Sequence, residues 1–242
     1  MKKIINLFGL SLVVVIISLI TNNCEGGGDT KTPASIVYKG VTYKTIKSPV
    51  TGRIWLDRNI GAAEVCTEYV DKACYGDYFQ WGRKADGHED IFSRFTDKQA
   101  TDIHNVGHSL FIRKNGRLHG DWAYNADPSG VKRMFNWLRT DGSYVCPKGF
   151  RVPTKEEIEK EIKKLNIKNK YDAFNSFLKL PSGGARDLLP VGHLFSEEEV
   201  GSIWLSTPTS YYAYGFLYNS KSAKVTELER AEGIPVRCIK EK

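Results

Sequence analysis

The most regular hydrophobic pattern in the chain starts at residue 35. In SIVYKGVTYKTIK (35–47), Ile36, Tyr38, Val41 and Tyr43 stand among polar neighbours, the placing expected of half-buried extended chain. Ser48-Pro49-Val50-Thr51-Gly52 then supplies turn chemistry before Ile54, Trp55 and Leu56, and the whole reads as an opening β-hairpin. From Gly61 to about Tyr144 the periodicity is poor, while Gly, Asp, His and aromatic residues are frequent. This predicts long ordered loops with short helices, the kind of segment that carries function when it is ordered. Periodicity returns after Pro153. Thr154 and Glu157 have capping-box spacing, each side chain able to satisfy an otherwise free backbone N–H, and Ile158, Ile162 and Leu165 repeat on one helical face. A second helix is expected around Tyr171 to Leu178, then three strands at 201–206 (GSIWLS), 211–218 (YYAYGFLY) and 234–240 (IPVRCIK). An opening hairpin, two helices, long loops and a closing antiparallel sheet make an α+β domain.

The N-terminal pattern is of another kind. Lys2 and Lys3 precede an apolar run from Ile4 to Ile20, the layout of an export signal, and Thr21-Asn22-Asn23 follows in place of a basic stop-transfer cluster. Cys24 comes next, before Glu25-Gly26-Gly27-Gly28-Asp29, which resembles the modified cysteine and tether of a bacterial lipoprotein. The expected organisation is a signal peptide over 1–23, a lipidated Cys24 with a flexible tether over 24–34, and one globular domain over 35–242. Such a chain is held at the cell envelope by its lipid, at the outer membrane or cell surface.

Export changes the meaning of charge and cysteine. The formal net charge of +7 would not meet nucleic acid outside the cell, so anionic glycans or lipid headgroups are the partners it allows. Beyond Cys24 the chain has Cys66, Cys74, Cys146 and Cys238, an even number that predicts disulfides. Three pairings can be drawn. The favoured one joins Cys66 to Cys74 across a short loop and Cys146 to Cys238, from mid-chain to the last strand. A zinc site would want closely spaced CxxC pairs or nearby His ligands, so no metal and no cofactor is expected.

The candidate contact residues are aromatic. As a strand, 211–218 would put Tyr212, Tyr214, Phe216 and Tyr218 on one face, either an exposed row able to stack on sugar rings or half of the core. Trp122 and Tyr124, beside Asp121, Asn125 and Asp127, give flat rings with hydrogen-bonding neighbours and are the second candidate pair for a ligand. Trp55, Trp81 and Trp204 are assigned to the core. His104 and His108 have helical i, i+4 spacing, and Asp86-Gly87-His88-Glu89-Asp90 is an acidic cluster. No third ligand follows at a diagnostic spacing, so these read as solvated loop residues. Glu197, Glu198 and Glu199 carry carboxylates, but the chain contains no GxSxG, HExxH or phosphate-loop motif, and no catalytic residue is assigned.

Six blocks, in order, resemble the Fibrobacter succinogenes major paralogous (FISUMP) domain. They are Trp55-Leu56-Asp57-Arg58-Asn59-Ile60-Gly61, Tyr78-Phe79-Gln80-Trp81-Gly82-Arg83, Cys146-Pro147-Lys148-Gly149-Phe150-Arg151-Val152-Pro153-Thr154, Leu180-Pro181-Ser182-Gly183-Gly184, Gly201-Ser202-Ile203-Trp204-Leu205-Ser206-Thr207 and Gly233-Ile234-Pro235-Val236-Arg237-Cys238. The resemblance implies an exported, lipid-anchored bacterial domain, more remotely similar to the C-type-lectin-like fold shared with formylglycine-generating enzymes. In that fold a disulfide commonly joins the first helical region to the last strand, which supports Cys146–Cys238. The family carries no assigned activity. Calcium-dependent lectins display Glu-Pro-Asn or Gln-Pro-Asp with Trp-Asn-Asp, and none of these occurs in the chain. Formylglycine-generating enzymes use paired active-site cysteines, whereas every cysteine beyond Cys24 is already assigned to a structural bridge.

The functional expectation is a surface-exposed lipoprotein whose domain binds polysaccharide or a protein partner without catalysis. The alternative, from another class, is a structural or assembly subunit of a surface filament or envelope complex. A polysaccharide-acting enzyme stands third, because it requires two carboxylates about 5–10 Å apart across a cleft, which residue spacing does not reveal.

Overall fold

The computed structural model describes residues 35–113, 120–187 and 191–242; the export segment, Cys24 and the tether lie outside the described residues. In chain order the strands and helices are β1 (Ser35–Tyr38), β2 (Val41–Lys47), β3 (Ile54–Leu56), β4 (Phe79–Gln80), β5 (Phe95–Thr96), β6 (Phe111–Ile112), α1 (Val131–Trp137), β7 (Phe150–Arg151), α2 (Lys155–Leu165), α3 (Lys170–Asn175), β8 (Gly201–Pro208), β9 (Ala213–Tyr218), β10 (Ala223–Leu228), β11 (Gly233–Ile234) and β12 (Ile239–Lys240). The described chain is therefore mostly sheet with three helices, an α+β arrangement.

The expected first strand is in fact two. Lys39 and Gly40 both have positive φ, 49° and 78°, and form the two-residue turn whose twist suits a tight hairpin, so Tyr38 pairs with Val41. The Ser48–Gly52 turn then joins β2 to β3 as expected, with Ser48 Oγ accepting from the amides of Val50 and Thr51 at 3.2 and 3.0 Å. The five-stranded sheet runs β1-β2-β3-β12-β7, so β12, near the end of the chain, sits inside it. A separate antiparallel sheet runs β10-β9-β8.

Alternation along these strands separates two apolar clusters. Leu56, Trp204 and Ala213 belong to one, with Trp81, Trp137, Phe150 and Val236, while Trp55, Ile203, Leu205 and Phe216 belong to the other, with Ile158, Leu180 and Ile239. Neighbours such as Trp55 and Leu56 fall in different clusters because successive strand side chains point to opposite faces. The segment 234–240 is not one strand. Pro235 has no amide hydrogen for a ladder, and the buried stretch Pro235–Cys238 instead accepts from Trp204 N, Ile60 N and Leu56 N through the carbonyls of Pro235, Val236 and Cys238.

Helix α2 keeps its capping box, Thr154 Oγ1 accepting from Glu157 N and Glu157 accepting from Thr154 N. Helix α3 begins one residue before the expected second helix and ends three earlier. Helix α1 is a short helix within the loop-rich span where such helices are expected, but its position is not legible from the sequence, because its buried face is Arg133, Asn136 and Trp137 and not an apolar stripe, and it starts after a left-handed Gly130 without a side-chain cap. Strand β10 was missed as well: it is an edge strand whose Lys224 and Glu227 are exposed.

Two disulfides, Cys66–Cys74 and Cys146–Cys238, have Cα–Cα separations of 5.1 and 5.9 Å. The loop-rich middle is held by other means. Arg83, Arg133, Arg186, Arg230 and Arg237 are all fully buried, and their guanidinium groups bind loop carbonyls that no sheet ladder reaches. Arg186 donates to the carbonyls of His88, Asp90 and Ser93 and to Ser93 Oγ, between the rings of Phe111 and Phe95 at 4.3 and 5.0 Å. Arg230 donates to the carbonyls of Tyr212, Thr209 and Pro128, clamping the β8–β9 turn to the segment before α1. Burial is the main reason that Arg186 and Arg237 are each lowered to about 10.

Candidate functional site

A cleft of ≈ 370 Å³ opens between two loops, one bearing Lys84, Ala85 and Asp86, the other running from Ile103 to Ser109. Its walls are fastened by Arg83, which has no exposed surface. From the first loop Arg83 Nη1 reaches Leu110 O at 3.0 Å and Nη2 reaches His108 O at 2.9 Å, while Nε reaches Asp86 Oδ2 at 2.9 Å. One buried side chain therefore sets the spacing of both walls and orients the acid between them. The walls also meet at Gly87, where φ is +100° and an added Cβ would lie 2.9 Å from Ser109 Cβ, so a side chain would both strain the turn and push the loops apart.

Asp86 is fully engaged. Oδ1 lies 2.8 Å from His88 Nδ1 and accepts from His88 N at 3.2 Å, and Oδ2 accepts from Arg83. Burial works against its charge, but the His88 hydrogen bond and the Arg83 charge outweigh this and hold its carboxyl below the usual range. His88 is equally occupied: its Nε2 accepts from Gln80 N at 3.0 Å, so the proton resides on Nδ1, facing Asp86. Burial, and then the neighbouring Arg83, lower His88 to about 4. Asp86, His88 and Glu89 do place three potential ligand atoms within 4.8 Å of one another. With both His88 nitrogens committed, that grouping is explained as a structural hydrogen-bond chain.

The second wall carries the histidines. They are not on a helix, contrary to what their spacing suggests: residues 101–110 are bends and irregular chain. His104 Nδ1 is bonded by Tyr144 Oη at 3.0 Å and lies 3.4 Å from Asn136 Nδ2. His108 Nδ1 accepts from Leu110 N at 3.2 Å. In each neutral ring the remaining nitrogen, Nε2, then carries the hydrogen and is a donor.

Trp122 and Tyr124 do not act as a pair. Trp122 is 0% exposed, which corrects its assignment as a ligand contact. Its Nε1 donates to Trp81 O at 2.8 Å, and its ring lies 5.3 Å from the Arg133 guanidinium and 5.8 Å from that of Arg83. The indole is thus a support beneath the arginine that builds the cleft. Two residues on, Tyr124 is 60% exposed. It is fastened through Tyr124 N to Ala100 O at 2.8 Å, on the chain that leads into the 103–109 wall.

Of the two readings of the 211–218 row, half of the core is the one that Tyr214, Phe216 and Tyr218 follow. Phe216 and Tyr218 on β9 are fully buried, and Tyr214 packs against the same apolar cluster. This face belongs to the core because α2 packs against β9, with Lys155 Nζ 4.1 Å from the Tyr214 ring centroid. Tyr212 precedes the strand, half-buried, with its carbonyl taken by Arg230. Neither Tyr212 nor Tyr214 lines the cleft. Of the three glutamates, Glu197 forms an ion pair with Lys72 at 2.6 Å.

Sequence reasoning had singled out His104, His108 and the 86–90 cluster but set them aside as solvated. The missing signal was Arg83, one of the family-like block residues, whose reach to residues 108–110 brings the segments together. The chain matches no protein-family model, and searches of curated proteins and of solved structures also found no match.

Proposed function

We propose that this chain is an envelope-anchored protein, lipid-modified at Cys24, whose C-type-lectin-like, FISUMP-type domain binds polysaccharide noncovalently. The observation that carries the reading is the cleft between residues 84–86 and 103–109, whose two walls are joined by the buried Arg83. A sugar-binding site needs converging hydrogen-bond groups and a flat apolar face: Lys84, His104, Asn105 and His108 line the cleft, and Tyr124 offers an exposed ring on a segment bonded at Ala100 to the chain that leads into the second wall. The loop-heavy body and the Cys146–Cys238 bridge from the segment before α2 to the residue that leads into the last strand support the lectin-like fold. A noncatalytic role is supported by the commitment of the cleft's carboxylate and of His88 to internal bonds.

Binding to a glycan array tests this, with Tyr124→Ala and Trp122→Ala alongside the parent protein. Tyr124→Ala is expected to weaken glycan binding about three- to tenfold with little change in melting temperature. Trp122→Ala is expected to cost roughly 3–5 kcal/mol of stability, as truncation of a buried indole does. Absence of glycan binding, with stoichiometric co-purification of an envelope protein, would favour the assembly-subunit reading instead.

A further inference from the structure

The cleft has a chemical bias that names the kind of sugar it would take. Its potential hydrogen-bond donors are uncommitted while its one carboxylate is already engaged. Lys84 is exposed and has no carboxylate partner among the described residues. His104 and His108 both use Nδ1 for internal bonds, which leaves Nε2–H as each neutral ring's remaining donor. The Asn105 amide and Ser109 hydroxyl add donors from the same wall. Against these stands one carboxylate, Asp86, which already accepts from Arg83 Nε, His88 Nδ1 and His88 N. Its charge is met by the buried Arg83 guanidinium, so the Lys84 ammonium is the uncompensated charge on the cleft.

A neutral sugar presents hydroxyls that donate as well as accept, and the cleft's only carboxylate, the strongest acceptor for them, is already engaged. An acidic sugar presents an oxyanion that accepts only, and charge-assisted bonds to it are about twice as strong as neutral ones. We infer that, if the chain is a polysaccharide binder as proposed above, this cleft selects acidic saccharide units, with Lys84 meeting the anionic group and His104 and His108 donating beside it. The anionic group is a carboxylate or a sulfate, which share this chemistry.

The test uses matched polymers that differ in charge: polygalacturonate against its methyl ester, and dextran sulfate against dextran, with affinities measured by calorimetry at low and moderate salt. The folded domain is expected to bind at least one charged member about tenfold or more tighter than its uncharged counterpart, with affinity falling as salt rises. Polygalacturonate alone, dextran sulfate alone or both would support the inference and identify the acid. Lys84→Ala should remove most of that preference and Lys84→Arg should keep it. Lys160→Ala provides the control, since Lys160 lines a different cleft, of ≈ 450 Å³, beside α2. Equal affinity for charged and uncharged members would overturn the inference while leaving the glycan-binding reading intact. An equal loss from Lys160→Ala and Lys84→Ala would overturn the site and indicate general polyanion adsorption. Binding to no saccharide on the array or among these polymers would overturn both.

Discussion

Two titrating side chains, separated by ten residues in sequence, pull the pH dependence of this domain in opposite directions. Asp77 is pushed up to about 7 by burial and by the charges of Glu89 and Asp90, with Lys39 opposing. His88 is pushed down to about 4 by burial and by Arg83, against Asp86 and Glu89. In an unfolded chain the two sit near their ordinary values, roughly 4 and 6.5. Between about pH 4 and 6.5 the folded protein therefore holds a proton on Asp77 that the unfolded chain lacks, while the unfolded chain holds one on His88 that the folded protein lacks. The Asp77 contribution is full below about pH 4 and is lost as pH rises through 7. The His88 contribution is full above about pH 6.5 and is lost as pH falls through 4. Together they nearly level the stability curve in that window. Asp77→Asn removes one side of this balance: the variant should be the more stable protein at pH 8, and on acidification from pH 6.5 to 4 it should lose on the order of 2 kcal/mol relative to the parent. That figure is about half the full shift, because the Asp77 side chain is only part-buried. Urea titrations at pH 4, 6.5 and 8 check it, and parallel behaviour of the two proteins would refute the assignment.

At the scale of elements, the regular pieces follow local rules and the loops do not. The capping box of α2 and the Ser48–Gly52 turn were legible from spacing because their hydrogen bonds run between near neighbours, and the β9 strand because successive side chains point to opposite faces. Helix α2 also reaches across the fold: Glu161, buried in its second turn, accepts from Ser48 Oγ at 2.7 Å, from Thr51 Oγ1 and from Trp55 Nε1 at 3.3 Å, so the β2–β3 turn is pinned to the helix. The 88–93 segment depends instead on one distant side chain. Arg186→Met leaves the carbonyls of His88, Asp90 and Ser93 without their donor, and a loss of roughly 3–5 kcal/mol is expected. Amide exchange in residues 88–95 should speed up more than exchange in β8 and β9. Arg186→Lys should recover little, since an ammonium cannot serve several carbonyls while lying flat between Phe95 and Phe111. Uniform acceleration across the domain would mean that Arg186 supports the global fold and not this loop.

The molecule as a whole is closed by its C-terminal segment. Cys238 is bonded to Cys146, Val236 and Cys238 accept from the chain leading out of β3, and β12 lies between β3 and β7. In the chain-entropy view, removing the Cys146–Cys238 bridge by paired Ser substitutions should cost about 4–5 kcal/mol, against about 2.5 kcal/mol for Cys66–Cys74, because the longer loop leaves more freedom to the unfolded chain. Denaturant midpoints of the two double variants test the order, and a larger loss from the short bridge would reverse it. The α+β class, the favoured cysteine pairing, the main helix and the tryptophan core could be read from the residues alone. The helix and the strands follow from local periodicity, and the pairing from an even number of cysteines in a chain read as exported, although Cys146 and Cys238 are 92 residues apart. Which aromatic ring meets solvent was settled only in three dimensions. Trp122 and Tyr124 are two residues apart with similar neighbours, yet one lies under Arg83 and Arg133 and the other in the open. The same holds for the cleft: its walls come from irregular segments, and the buried guanidinium that joins them bonds to backbone carbonyls, a kind of partner that leaves no trace in residue type or spacing.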